Sequence, residues 1–135
     1  MRTKLLCIGL AALALAAGAF ARDAPFHKLT LYVANQSFDV NPIDIKVTID
    51  GMTVAAGAFY AGYGRSWRRY DVRLAAGRHV LRALTRKGAA ALRREFDVAG
   101  PRWAAVAYRN VSPSRGGRTV RHFAFAIRDR PFGEK

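Results

Sequence analysis

The stretch 44–51 constrains the fold of this chain more than any other. It alternates polar and apolar side chains and ends in Asp50-Gly51, the dipeptide that most favours a tight two-residue hairpin turn. Its apolar residues fall on one face at a period of two, namely Ile45, Val47 and Ile49. A strand with one polar and one apolar face implies a sheet, and the apolar face of that sheet must be buried against a second layer.

The same design recurs along the chain. Alternating patterns predict further strands at 28–34 and 66–74, then on both sides of a turn near residue 88, and finally around Phe123. A return strand near 52–58 follows the Asp50-Gly51 turn, and residues 103–108 are apolar on both faces, as a central strand should be. Turn signals near residues 76, 88 and 100 recur about every 12 residues, the rhythm of a sandwich or barrel. We therefore predict an all-β fold, a two-layer antiparallel β-sandwich of about eight strands, as a single domain over residues 22–135.

One hairpin can be given a register from its pattern. If Ala75-Ala76 form its loop, Leu74 pairs with Gly77 and Val72 pairs with His79. His79, Leu81 and Ala83 would then face the core, while Arg78 and Arg82 would face solvent. On the following strand Arg94 falls in phase with the apolar residues. Either a bulge resets the register there, or the arginine head extends to solvent at the sheet rim.

The first 21 residues have the pattern of a cleavable signal peptide. Arg2 and Lys4 precede the apolar run 5–17, and a small-x-small site ends at Ala21. The run is shorter than the roughly 20 apolar residues that span a bilayer, so no transmembrane segment is expected after cleavage. Cys7 lies inside this leader, which leaves the mature chain without disulfides, thiol chemistry or cysteine-bound metal. A periplasmic or secreted bacterial protein is predicted.

The charge is large and uneven. Without Arg2 and Lys4 the chain carries 21 basic and 9 acidic residues, a net charge of +12. Residues 22–64 have a net charge of −1, whereas residues 65–135 have +13. Such a surface would concentrate anionic partners in a salt-dependent way. The alternative is that the arginines serve only to solvate the surface.

Several segments together resemble a known family. These are VTIDG at 47–51, VAAG at 54–57, LAAGRHVL at 74–81 and FDV at 96–98. They resemble PEGA-type β-domains, which are short immunoglobulin-like or transthyretin-like sandwich modules of bacterial envelope proteins. The chain is also similar to small secreted bacterial proteins built as one such sandwich. The resemblance covers about half of the mature chain, and it implies extracytoplasmic binding or scaffolding without catalytic residues.

Catalytic and metal-binding patterns are weak. The three histidines of the mature chain, His27, His79 and His122, have no second histidine close in sequence, and no serine lies in a nucleophile elbow. The acidic segment 39–44 could supply oxygen ligands for Ca²⁺, but turn chemistry explains it equally well. We predict no enzyme activity, no cofactor and no metal.

An aromatic loop is the first candidate binding feature. Tyr60, Tyr63 and Trp67 are interleaved with glycines, and the arginines that accompany them are Arg65, Arg68 and Arg69. Exposed aromatic rings offer flat faces to sugars, and guanidinium groups bind carboxylate, sulfate or phosphate through two hydrogen bonds. The alternative is that these rings fold back and cover the end of the sandwich.

The second candidate is a face of the predicted sheet. If Ala104, Val106 and Tyr108 point inward, an apolar strip faces outward on that strand and the last one. The strip consists of Trp103, Ala105, Ala107, Ala124 and Ala126, and it is bordered by Arg109, His122 and Arg128. Exposed apolar strips mark partner or ligand surfaces. The alternative is that a loop or the 129–135 tail covers it.

Two functions follow as expectations. The first is a non-catalytic binding module for an anionic or carbohydrate component of the cell envelope, either an anionic polysaccharide or a lipid. The second is a structural or protein-interaction domain that docks a protein partner or a second copy through the alanine-tryptophan strip. Nucleic acid is disfavoured as a partner because the chain has no nucleic-acid-binding motif and carries an export signal.

Overall fold

In the computed structural model, which describes residues 24–62, 66–113 and 115–133, the chain forms two four-stranded β-sheets. The predicted signal peptide lies outside the described residues. The strands are β1 Phe26–Asn35, β2 Ile43–Ile49, β3 Met52–Phe59, β4 Arg68–Ala75, β5 Gly77–Thr85, β6 Ala90–Val98, β7 Arg102–Val111 and β8 Val120–Arg128. The predicted all-β sandwich of about eight strands is confirmed. Within the described ranges no helix is long and apolar enough to cross a membrane.

The strand order shows how the chain alternates between the two layers. Sheet A has the order β4-β1-β7-β8, and sheet B has the order β3-β2-β5-β6. Neighbouring strands are antiparallel except for β1 and β7, which run parallel in the middle of sheet A. Because parallel neighbours cannot be joined by a tight turn, β1 and β7 come from distant parts of the chain.

The core lies between the two sheets and contains the apolar residues that alternate along the strands. Ile45, Val47 and Ile49 of β2 are buried, and they lie opposite the apolar residues of β1 and β7. The largest fully buried side chain is that of Tyr108, whose hydroxyl donates a 3.0 Å hydrogen bond to the carbonyl of Gly88. The polar atom of this core tyrosine is thereby satisfied.

The hairpin at Asp50-Gly51 is confirmed. Both residues have positive φ, 50° and 81°, as a type I′ turn requires. The β2–β3 register shifts between Val47 and Thr48, so a bulge interrupts this hairpin. The apolar residues of β2 remain buried on both sides of this shift.

The predicted hairpin around Ala75-Ala76 is wrong. β4 pairs with β1, and β5 pairs with β2 and β6, so the chain crosses from sheet A to sheet B between Ala75 and Gly77. The predicted faces are nevertheless correct, because His79 is buried and Arg78 is exposed. Alternation fixes which face a side chain takes, and a crossover between layers produces the same alternation as a hairpin.

Arg94 follows one of the two predicted alternatives. It pairs with Leu81 in a β5–β6 register that contains no shift, so no bulge is present. β6 is an edge strand, and the Arg94 side chain is exposed, with one guanidinium nitrogen 2.9 Å from the carbonyl oxygen of Arg93. The arginine therefore reaches solvent at the sheet rim.

Candidate functional site

The outward face of sheet A is built from cross-strand rows of aligned side chains. One row contains Ala34 of β1, Ala107 of β7 and Ala124 of β8. The next row contains Tyr32, Ala105 and Ala126 on the same three strands. Because five of these six residues are alanines, the backbone of the sheet forms the floor of a shallow apolar groove.

Two aromatic side chains from outside the sheet lie over this floor. Trp67, from the β3–β4 connection, borders a groove of about 240 Å³ above Ala107 and Ala124, and another of about 310 Å³ beside Ala105. Phe132, from the C-terminal tail, lines the second groove. Ala107 is only 2% exposed, whereas Trp67 remains 39% exposed. The tryptophan therefore divides the face into two linked grooves and keeps a free ring surface.

The second groove has an ordered aromatic wall. The rings of Tyr32 and Phe132 meet edge to face at 84°, with their centroids 6.2 Å apart. The guanidinium carbon of Arg128 lies 4.9 Å from the centroid of the Phe132 ring, a cation–π contact. These contacts hold the tail against the sheet and place a cation at the edge of the groove.

Further basic side chains surround the grooves. Arg109 lines the smaller groove and donates a 2.8 Å hydrogen bond to the side-chain oxygen of Gln36. Arg69 lies next to Tyr32 in the cross-strand register and pairs with Asp71 at 3.2 Å. Within the described ranges, no carboxylate neutralises Arg109 or Arg128. Both guanidinium groups therefore remain available to an anion.

The structure brings most of the predicted site residues to this face. Trp67 and Arg109 line a groove, and Arg69 lies beside Tyr32. Trp103 and Arg128 form a cross-strand pair beyond one end of the alanine rows, and Arg109 pairs with His122 beyond the other end. The predicted aromatic loop and the predicted alanine strip thus meet in one place, because Trp67 of the loop lies over the strip.

The remaining predicted residues lie elsewhere. The Arg68 guanidinium stacks 4.5 Å from the centroid of the buried Phe59 ring, so it covers the core. Tyr60 is 61% exposed but lines neither groove. Tyr63 and Arg65 lie outside the described residues.

Sequence reasoning missed two aromatic residues of the site. Tyr32 alternates out of phase with the core residues of β1, a pattern that could have placed it on the outward face. Phe132 belongs to a segment with no alternation, and only the fold of the tail brings it to Tyr32. Both alternatives predicted for the strip hold in part, since a loop and the tail cover some of it and leave the grooves open.

The acidic segment 39–44 is occupied by structural contacts. The Asp44 carboxylate accepts hydrogen bonds from the backbone N–H groups of Arg86 and Lys87 and from the Thr85 hydroxyl. Burial raises the pKa of Asp44, but these hydrogen bonds outweigh it, and the net pKa is lowered. Asp39 instead contacts Asn110. Among the described residues, no cluster of three His, Cys, Asp or Glu could hold a metal ion.

Within the described part of the chain, the one close acid–histidine contact joins β5 to the β2–β3 turn. Nδ1 of His79 lies 2.5 Å from the Asp50 carboxylate, and Nε2 lies 2.6 Å from the Ala75 carbonyl oxygen. Both partners are acceptors, so the ring donates to both only as an imidazolium. Burial lowers the pKa of His79, but the hydrogen bonds and the Asp50 charge outweigh it and raise the pKa above 6.5. Neither ring nitrogen is free to move a substrate proton.

This contact predicts a pH dependence of stability. The folded protein holds the His79 proton more tightly than the unfolded chain does. The stability that the protonated His79 contributes is therefore full below about pH 6.5 and is lost as the pH rises through the pKa of His79 in the folded protein. Burial raises the pKa of Asp50, but the hydrogen bonds from His79 and Val80 outweigh it and lower the pKa overall. The stability that Asp50 contributes is therefore lost as the pH falls through this lowered pKa. Because Asp50 is half exposed, we expect an effect on the order of 1 kcal/mol.

Urea denaturation at about pH 6 and about pH 9 measures this effect. The wild-type protein should lose more stability over that range than Asp50→Asn, in which His79 no longer faces a charged partner. Equal losses in the two proteins would show that the ring does not hold its proton in the folded state.

Comparison with known proteins assigns no family to this chain. No family model matches the chain, and no curated protein matches it. A solved structure that is similar is the 5-hydroxyisourate hydrolase of Klebsiella pneumoniae, at 16% identity and a TM-score of 0.37, covering 70% of this chain and 97% of that chain. At this level of similarity, no argument about activity follows from it.

Proposed function

We propose that this protein is a non-catalytic binding domain for an acidic carbohydrate chain of the bacterial cell envelope. The observation that carries the proposal is the pair of linked grooves on sheet A, in which an accessible Trp67 ring stands over an alanine floor, beside arginines that have no carboxylate partner among the described residues. In this proposal the leader directs the protein to the periplasm or outside the cell. We also propose that the chain resembles PEGA-type modules, which are found in bacterial envelope proteins, and this resemblance is consistent with that location.

The shape of the grooves favours an extended chain of sugar rings. Trp67 and Tyr32 supply apolar ring faces, on which the C–H faces of a pyranose can stack. The alanine floor lets a flat ligand approach the sheet closely, and the two grooves continue along the face on either side of the tryptophan. The aromatic and small residues thus provide contact area, while the surrounding polar side chains provide orientation.

The charge around the grooves favours acidic sugars. Arg109 and Arg128 border the alanine rows, and neither has a carboxylate partner among the described residues. A guanidinium group binds a carboxylate or sulfate through two parallel hydrogen bonds. The net positive charge of the C-terminal half would add a long-range attraction that weakens as salt is raised.

Replacing Trp67 tests the proposal. Trp67→Ala should weaken binding to polygalacturonate, an acidic polysaccharide, by about tenfold or more, because an aromatic anchor at the centre of a site contributes about 2 kcal/mol. Tyr60→Ala is the matched control, since Tyr60 is an exposed aromatic of the same connection that lines neither groove. Binding should also fall with salt, and neutral dextran should bind more weakly.

Two results would contradict the proposal. One is that Trp67→Ala leaves the affinity for polygalacturonate unchanged. The other is that Tyr60→Ala lowers this affinity as much as Trp67→Ala does. Self-association that survives high salt and is lost in Trp103→Ala would instead favour the alternative, a domain that docks a second copy through this sheet face.

A further inference from the structure

The outward face of sheet B carries a further groove, on the opposite side of the sandwich from the two linked grooves of sheet A. It has a volume of about 500 Å³ and is formed by β2, β5 and β6. Its polar lining consists of Lys46, Thr48, Arg82 and Arg93. No sequence pattern singled it out, because these residues come from three strands and meet only through the register of the sheet.

The register places two arginines directly opposite each other. Arg82 of β5 pairs with Arg93 of β6, and Thr48 of β2 pairs with Arg82 on the other side. Directly opposed side chains have their Cβ atoms about 5 Å apart, and like charges in that position destabilise a sheet. An anion bound between the two guanidinium groups would remove the repulsion.

Among the described residues, the one carboxylate that contacts a basic lining residue of this groove is that of Glu95. Asp44 is occupied by the β5–β6 turn, and Asp50 by His79 and the Val80 N–H group. Glu95 accepts a 3.0 Å hydrogen bond from Arg93, but both side chains are about half exposed, and such a surface pair is weak. Neither Arg82 nor Lys46 has an ion-pair partner within the described ranges.

The rest of the groove is apolar. Leu84 pairs with Lys46 on one side and with Ala91 on the other, and it is 49% exposed at the open end. The floor therefore offers no acceptor that would compete for the guanidinium groups. The space is lined by two guanidinium groups, one ammonium group and the Thr48 hydroxyl, all of which can donate hydrogen bonds, and this suits an anion with several oxygen atoms.

We infer that this groove binds a phosphoryl group, with Arg82 and Arg93 on its oxygen atoms and Lys46 and Thr48 beside them. Guanidinium forks match the geometry of phosphate oxygens, and a phosphoryl group can offer oxygen atoms to both opposed arginines at once. The phosphoryl group could belong to a soluble phosphate compound or to the headgroup of a phospholipid, whose acyl chains would extend past Leu84. This site is separate from the proposed carbohydrate site.

Calorimetric titration of the full protein with inorganic pyrophosphate is the first test. Arg82→Gln combined with Arg93→Gln should weaken binding by roughly tenfold or more, since two charge-assisted contacts are lost. Arg115→Gln combined with Arg118→Gln removes the same charge from the exposed β7–β8 loop and should change the affinity less than about twofold. Pyrophosphate should raise the unfolding temperature of the wild-type protein and of this control, but not that of the groove variant.

Vesicle flotation distinguishes the two sources of the phosphoryl group. Pyrophosphate binding assigns the groove to soluble phosphate compounds. Binding only to vesicles that contain phosphatidylglycerol, lost in the same double variant and absent with phosphatidylcholine alone, assigns it to a lipid headgroup. Binding to neither probe, or equal effects of the groove and loop variants, would overturn the inference. Trp67→Ala should leave pyrophosphate binding intact, so this test is independent of the carbohydrate proposal.

Discussion

Asn35→Ala is expected to lower the free energy of unfolding by about 3 kcal/mol, because it leaves several buried backbone groups without partners. The Asn35 side chain is fully buried at the end of β1. Its amide nitrogen donates to the carbonyl oxygens of Val40 at 2.8 Å and Phe59 at 3.2 Å, and its oxygen accepts from the N–H group of Ser37 at 2.9 Å. One side chain therefore holds the β1–β2 connection against the end of β3.

Urea denaturation of matched variants measures this effect. Asn110→Ala makes the same chemical change at a half-buried residue whose side chain donates one hydrogen bond, to Asp39. The expected loss there is below about 1 kcal/mol. If the two variants lost equal stability, the buried hydrogen bonds of Asn35 would not hold the connection.

Gly88→Ala is expected to destabilise the domain by about 2–3 kcal/mol through overpacking. A Cβ atom on Gly88 would lie 2.5 Å from Ile43, 2.6 Å from the Tyr108 ring and 2.7 Å from Thr85. All three neighbours are buried, and the Tyr108 hydroxyl also bonds to the Gly88 carbonyl, so none can shift without disturbing the core. The β5–β6 turn can approach the core this closely only without a side chain.

Gly100→Ala is the control for this prediction. Gly100 also lies in a connection, but nothing lies within 4 Å of the position its Cβ would take. Its effect should stay within about 0.5 kcal/mol, as for most surface changes. Thermal unfolding of both variants gives the comparison. Similar midpoints for the two would show that the space around Gly88 is not tightly packed.

The two sheet faces have related but different chemistry. The two linked grooves of sheet A combine aromatic rings with arginines at their border. The groove of sheet B combines two directly opposed arginines with an apolar floor. In these two proposals, the domain has a basic site on each of its two outward sheet faces and would contact two anionic components at once. The Trp67 variant and the Arg82/Arg93 variant separate these contributions, because each changes one face only.

The sequence by itself determined the strands and their faces. Strands need a period of two, and the apolar positions of β2 and β5 keep that period, so their buried sides follow from the residues alone. The Asp50-Gly51 turn could likewise be predicted, because its two positive φ angles are a local property of that dipeptide. The outward direction of Ala124 follows from the alternation of Phe123, Phe125 and Ile127 in β8, whereas residues 103–108 of β7 are apolar on both faces and leave the direction of Ala105 open.

Only the tertiary structure decided which strands are neighbours. The pairing of β4 with β1, and the parallel pairing of β1 with β7, depend on how the layers stack and not on any local pattern. The position of Trp67 over the alanine rows, the contact of Phe132 with Tyr32 and the Arg82–Arg93 pair all follow from that strand order. A period of two specifies the face of a side chain but not its neighbour across the sheet, and both candidate sites consist of such neighbours.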